Sequence, residues 1–220
     1  VSIDGVGNYG TALPSVTFNQ SDFTSGCIIT DVDVRISWSK TDGTCTNPGT
    51  GNSRHDQTSF RINGPTTEVL ALPGTWSGGA TISTVVTRFS DGGANPGGTP
   101  TSGTFDPNNG VLANFNGLQP FGSWNLDAGD NGSADPLCLN YYEVIITTYA
   151  DNTEHVLTAP GNVTVNADAG QCTATVSWTA PTATDNCSET VTQTAGTSNG
   201  SIFPVGTTTV TYQAADPYGK

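Results

Sequence analysis

The residues best suited to chemistry are oxygen donors gathered in one stretch. Asp127, Asp130, Asn131 and Asp135 follow each other closely and are interleaved with glycine. Calcium takes several oxygen ligands from a flexible loop, so these four could wrap one ion. A second reading stands beside that one: short Asp and Asn side chains also bond their own backbone in turns, and no strict EF-type spacing is present. Trp38 and Trp76 sit in no clear apolar period, and an exposed indole could stack on a sugar ring. Trp124 differs, because it alternates with Leu126 toward one face and reads as a core anchor. The two histidines, His55 and His155, lie near no G-x-S-x-G turn, and a Ser-His-Asp arrangement has no candidate nucleophile. His55 follows Asn52-Ser53-Arg54 and reads as a solvated turn residue. The Cys and His residues lack zinc-ligand spacing. The many Asp residues fall in turns without an apolar pocket segment around two of them, which argues against a glycosidase pair. The expectation is a chain with no catalytic residues.

The elements that must hold these groups are short. The chain has 220 residues with 27 Gly and 13 Pro, and no stretch has a convincing helical period. Apolar or alternating runs recur instead: Ile28 to Ile36, Glu68 to Leu72, and Tyr142 to Tyr149. This spacing is that of an all-β sandwich. In the first run Ile28, Val32, Val34 and Ile36 should face inward, with Asp31, Asp33 and Arg35 in water. The stretch Ser90 to Gly110 reads as a long surface loop or, less simply, a linker. Turn residues cluster between Ala150 and Gly161, where a domain boundary is expected, and a new set of strands should begin at Asn162-Val163-Thr164-Val165.

The net charge of −13 rests on fifteen Asp and four Glu against six Lys and Arg. Nucleic-acid phosphates and anionic membranes would both repel such a chain. A calcium-rich exterior, or simply a soluble acidic surface, fits the charge. No apolar run is long enough for a membrane span, and the chain reads as an internal piece of a longer protein. Five cysteines in a Thr-rich β chain point to an oxidising compartment, with one thiol left over.

Two family resemblances follow from motifs. Leu112-Ala113-Asn114-Phe115-Asn116-Gly117, then Gly122-Ser123-Trp124-Asn125-Leu126 with Asp130 after it, resemble the P domain that follows subtilisin-type catalytic domains and also occurs in bacterial surface proteins. Ile29 to Val34, Ile62 to Thr67, Phe89-Ser90-Asp91 and Gly103 to Pro107 extend the likeness over roughly residues 10 to 149. Pro136 replaces the family's Gly, Tyr142 stands for its late Trp, and Cys27, Cys45 and Cys138 lie outside its pattern. The resemblance implies a jelly roll, with Asp56 and Asp91 as further loop carboxylates near an ion.

Residues 162 to 219 resemble a hyalin repeat, an immunoglobulin-like module of extracellular adhesion proteins. The likeness is carried by Gly170 to Trp178, by Asp185-Asn186-Cys187, by Phe203 to Tyr212 and by Asp216-Pro217-Tyr218-Gly219. It implies a further strand after Gly219, so the module is expected to be incomplete. Within it Cys172 and Cys187 are the expected pair. Cys27 with Cys45 is preferred in the first module, leaving Cys138 over, and Cys45 with Cys138 is the competing pairing.

Together these give a jelly-roll sandwich over residues 1–155 and an immunoglobulin-like sandwich lacking its last strand over 156–220. The resemblances imply a non-catalytic, calcium-stiffened module of a giant cell-surface adhesin, as in gliding Bacteroidota, exposed outside the outer membrane. Its partners would be an external surface, a glycan or neighbouring repeats, with the fragment itself monomeric. A carbohydrate-binding module and an accessory P domain of a secreted protease are the rival readings.

Overall fold

The computed structural model describes every residue except 24–25, 152, 186, 188 and 217–220. It is all-β, with three single turns of 3-10 helix at Gln20–Asp22, His55–Gln57 and Leu112–Phe115. The chain divides into two compact units, Val1–Ala150 and Asp151–Lys220.

Among the described residues, twelve strands build the first unit. They are β1 (Ser2–Ile3), β2 (Gly7–Ala12), β3 (Val16–Phe18), β4 (Gly26–Lys40), β5 (Asn52–Ser53), β6 (Thr58–Asn63), β7 (Thr67–Ala71), β8 (Gly79–Ala80), β9 (Val85–Ala94), β10 (Gly103–Phe105), β11 (Gly122–Asp130) and β12 (Leu137–Ala150). One sheet runs in the order β1-β12-β4-β9-β10. The other runs β2-β11-β6-β7, with β3 also paired to β11. Strands β5 and β8 form a small separate ribbon.

The inner faces of the two sheets supply one core, as alternation along strands requires. Trp38, Phe60 and Trp76 pack there with ring centroids 4.9 to 6.2 Å apart. Phe115 and Phe18 close on Trp124 at 4.8 and 6.3 Å. Both fully buried indoles are satisfied: Trp38 Nε1 donates to Thr87 Oγ1 at 2.9 Å, and Trp124 Nε1 donates to the Pro120 carbonyl at 2.9 Å. Gly64 makes room for this packing, since a Cβ there would come within 2.6 Å of the Trp124 ring.

The long strand β4 departs from simple alternation. Asp31 pairs with Thr147 and Ile29 with Thr148, so Thr30 is an extra residue in the ladder. Such a bulge reverses which side chains point inward. Ile29 is therefore buried and Ile28 only half-buried, against the sequence expectation. Asp33 is also buried rather than in water, because its carboxylate meets the guanidinium of Arg88. The expected loop from Ser90 to Gly110 contains the end of β9 and all of β10. These pair in parallel, and Gly93 allows the Phe105 backbone to approach to a distance no Cβ would tolerate.

Among the described residues, six short strands make the second unit: β13 (Val156–Thr158), β14 (Thr173–Thr175), β15 (Thr182–Thr184), β16 (Thr190–Ala195), β17 (Ile202–Pro204) and β18 (Thr211–Ala215). They pair antiparallel as β13-β15, β14-β17 and β16-β18. Trp178 stands edge-on to Phe203 at 5.9 Å, and its Nε1 donates to the Tyr212 hydroxyl at 2.9 Å. The segment 162–165 forms no strand, and Val163 and Val165 are exposed. Without a ladder partner, β-branched residues alone do not make a strand.

Candidate functional site

One group of buried charges lies where β4 and β11 end. Lys40 is the last residue of β4 and Asp130 the last of β11, so each sheet delivers one charge to the same point. Lys40 Nζ donates to Asp130 Oδ2 at 2.8 Å, and both side chains are fully buried. Nζ also donates to the Asp135 carbonyl, and Asp135 Oδ2 lies 3.5 Å away. Backbone donors hold the two carboxylates: Gly132 N–H reaches Asp130 Oδ1 at 3.3 Å, and Arg54 N–H reaches Asp135 Oδ2. Burial pushes the Asp130 carboxyl up from its ordinary value, against the lowering effect of the Lys40 bond.

His55 borders this group. It is buried, not a solvated turn residue, because the 3-10 turn at 55–57 directs it inward. Its Nδ1 lies 3.1 Å from the Ser77 carbonyl. Burial lowers its basicity, and Lys40 acts in the same sense.

The oxygen donors expected to share one ion are already engaged by other partners. Asp127 Oδ2 accepts from Arg61 at 2.5 Å and from Asn63 at 2.8 Å, while its Oδ1 accepts from Asn125 at 2.8 Å. Asp130 and Asp135 serve Lys40. Asn131 is exposed, and its backbone N–H donates to the Gln57 carbonyl. Asp56 forms a two-bond fork with Arg54 at 2.9 and 3.0 Å. Asp91 takes the N–H groups of Leu112 and Ala113 at the start of the 3-10 turn. A divalent ion at the β11 end would have to compete with resident cations, so these residues do not fit a shared calcium site.

A different set comes closer to a metal constellation. Among the described residues, the ligand atoms of Asp151, Cys187 and Asp216 lie within 4.8 Å of one another, and all three are buried. Cys187 is oxidised in a disulfide and offers no thiolate, so the oxygen donors decide the chemistry. Beside them the Asp185 carboxylate is 3.3 Å from His155 Nδ1, and His155 Nε2 accepts from the Asp216 N–H at 3.0 Å. The family motif did mark Asp185 and Asp216, but it gave no sign that Asp151 would join them. Asn186 and the Pro217-Tyr218-Gly219 portion of the expected turn lie outside the described residues.

The remaining expectations are corrected by burial and geometry. Trp38 and Trp76 lie 0 and 2% exposed against each other, so neither can meet an external sugar. Cys45 bonds to Cys138, with Cα atoms 5.4 Å apart, which excludes Cys27–Cys45. Cys172 is a free, exposed thiol, so Cys172–Cys187 does not form either. The competing pairing, Cys45 with Cys138, is the one that forms, because the ladder between β4 and β12 sets Lys40 opposite Leu137 and so brings the loop after β4 to the start of β12.

Comparison with known proteins locates one likeness. The HYR domain family matches residues 150–220. Hyalin of Strongylocentrotus purpuratus is 35% identical over 95 residues, which is 43% of this chain and 7% of hyalin. The chain thus spans a small fraction of the relative it matches. No solved structure matches significantly.

Proposed function

We propose that the chain is a non-catalytic extracellular segment of a large cell-surface adhesion protein, with residues 150–220 serving as one repeat of an adhesive array. The HYR match over 150–220, together with the hyalin likeness, carries this reading. The Cys45–Cys138 disulfide agrees with an oxidising exterior, and the acidic charge agrees with a soluble, surface-exposed piece. Among the described residues no helix is long and apolar enough to cross a membrane. On the resemblance of residues 10–149 to a P domain, this reading takes the first sandwich as a supporting module ahead of the repeat. Attachment to an external surface, as in gliding bacteria, is the role this reading assigns to the parent protein.

Calcium enters the same proposal. Asp151 and Asp216, with Asp185 close by, are the oxygen donors that would hold it in the second unit. An ion bound only by the folded form stabilises that form.

Antibodies against the purified chain test the central claim. Labelling of intact cells, and reduced attachment when Fab fragments are added, are the expected outcomes. Labelling that requires permeabilised cells would refute an external location.

A further inference from the structure

The buried Lys40–Asp130–Asp135 group is more than an ion pair holding two strand ends. We infer that Lys40 and Asp130 join through an intramolecular amide bond, with Asp135 carrying the proton, so that the two sheets of the first unit are covalently stapled.

Three observations support this. The first is proximity: Lys40 Nζ lies 2.8 Å from Asp130 Oδ2, with both side chains fully buried. Reacting groups held this way gain the large rate advantage of an intramolecular reaction. The second is the medium. Charges removed from water are costly even when paired, and burial pushes the Asp130 carboxyl toward the neutral acid that condensation needs. The third is the set of groups around the pair. Asp135 Oδ2 lies 3.5 Å from Nζ and is fixed by the Arg54 N–H, where it can take and return a proton. Gly132 N–H points at Asp130 Oδ1, where negative charge would develop during attack.

The step balances without an added reagent. A proton passes from the Lys40 ammonium to the Asp130 carboxylate, giving amine and acid. The Nζ lone pair attacks Cγ of Asp130 and a C–N bond forms. Asp135 accepts a proton from the nitrogen and delivers it to Oδ2. The Cγ–Oδ2 bond then breaks and one water leaves, with Asp135 again a carboxylate. The product is a secondary amide whose carbonyl keeps the Gly132 hydrogen bond. Three buried charges become one, and the remaining one belongs to Asp135 at the edge of the group.

The linkage joins the end of β4 in one sheet to the end of β11 in the other. Its location would not follow from the proposed adhesive role, nor does it depend on that role.

Intact-mass measurement of the full chain, reduced and denatured, tests the inference. The expected result is a mass one water below that of the sequence. Tandem mass spectra should place the loss in a branched peptide joining Lys40 to Asp130, and trypsin should not cut after Lys40. The Lys40→Arg chain keeps a cation without a reactive amine and should show the full mass. Asp135→Asn leaves both reacting groups in place, and it should also show the full mass in a soluble, folded preparation. A native chain with the full sequence mass overturns the inference. So does a water loss mapped to a cyclic imide with Lys40 free, or the same branched peptide in Asp135→Asn.

Discussion

At the residue scale, the packing around Trp124 leaves little tolerance. Gly64 faces the indole so closely that its own lack of a side chain is a packing requirement. Gly64→Ala should therefore destabilise by about 1–3 kcal/mol through overpacking, read as a lower urea midpoint at unchanged slope. His55 supplies a pH signature. Burial is the main cause that holds it below its ordinary 6.5; Lys40 adds to this, while the Ser77 carbonyl, Asp135 and Asp56 oppose it. The unfolded chain then binds the proton more readily than the folded one. Its contribution to stability is complete above pH 6.5 and is lost as pH falls below that value. Urea midpoints measured from neutral to mildly acid pH should decline in the native protein, and less steeply in His55→Gln. A His55→Gln profile as steep as that of the native chain would remove His55 as the cause.

At the element scale, the pairing of β4 with β12 organises the first unit. It runs from Leu137 opposite Lys40 to Ala150 opposite Gly26. The disulfide from Cys45 to Cys138 ties the start of β12 to the loop after β4, across a sequence separation of 93. On the chain-entropy estimate a bridge of that span contributes about 4 to 5 kcal/mol. Cys45→Ser should lower the unfolding midpoint accordingly, whereas Cys172→Ser should leave it nearly unchanged. Maleimide under native conditions should modify Cys172, the exposed free thiol, and peptide mapping would locate the label.

Much of this architecture was legible in the sequence. The alternating runs gave the β class, and the Trp124–Leu126 alternation identified a true core anchor because a period of two leaves little choice. The Thr30 bulge was not legible, since an extra residue announces itself only against a partner strand. Trp38 continues the inward period of Val32, Val34 and Ile36 along β4, so its burial follows from the strand pattern, whereas Trp76 lies off any strand and is buried only because it packs on Trp38 and Phe60. The acids around β11 read as calcium ligands because sequence shows carboxylates but not the Lys40, Arg54 and Arg61 that reach them. Of the cysteine pairings, Cys45 with Cys138 holds and the two pairs chosen for nearness in sequence do not, because nearness along the chain is not nearness in space.

At the scale of the whole molecule, the two units put their acids to different uses. The first unit neutralises buried carboxylates with its few Lys and Arg residues: Asp33 with Arg88, Asp127 with Arg61, Asp130 with Lys40. In the second, ligand atoms of Asp151 and Asp216 lie within 4.8 Å of each other, and Asp185 lies 3.3 Å from His155 Nδ1, whose Nε2 accepts from the Asp216 N–H. Calcium should therefore raise the melting temperature of the chain by several degrees, on the order expected for a ligand well above its Kd. A chelator should reverse the rise, and Asp151→Ala combined with Asp216→Ala should abolish it. A melting curve indifferent to calcium, with no metal found in the purified chain, would rule out this cation.

The long β4–β12 ladder has a consequence for a chain under tension. A pull applied to the end of β12 along that strand's own axis runs parallel to its partner β4. Its hydrogen bonds then resist together in shear instead of opening one at a time like a zip. The bulge at Thr30 lies toward the loaded end, while the disulfide at Cys138 clamps the far end of the strand. Extension would therefore stop at that crosslink, leaving the segment from Cys45 to Cys138 unstretched.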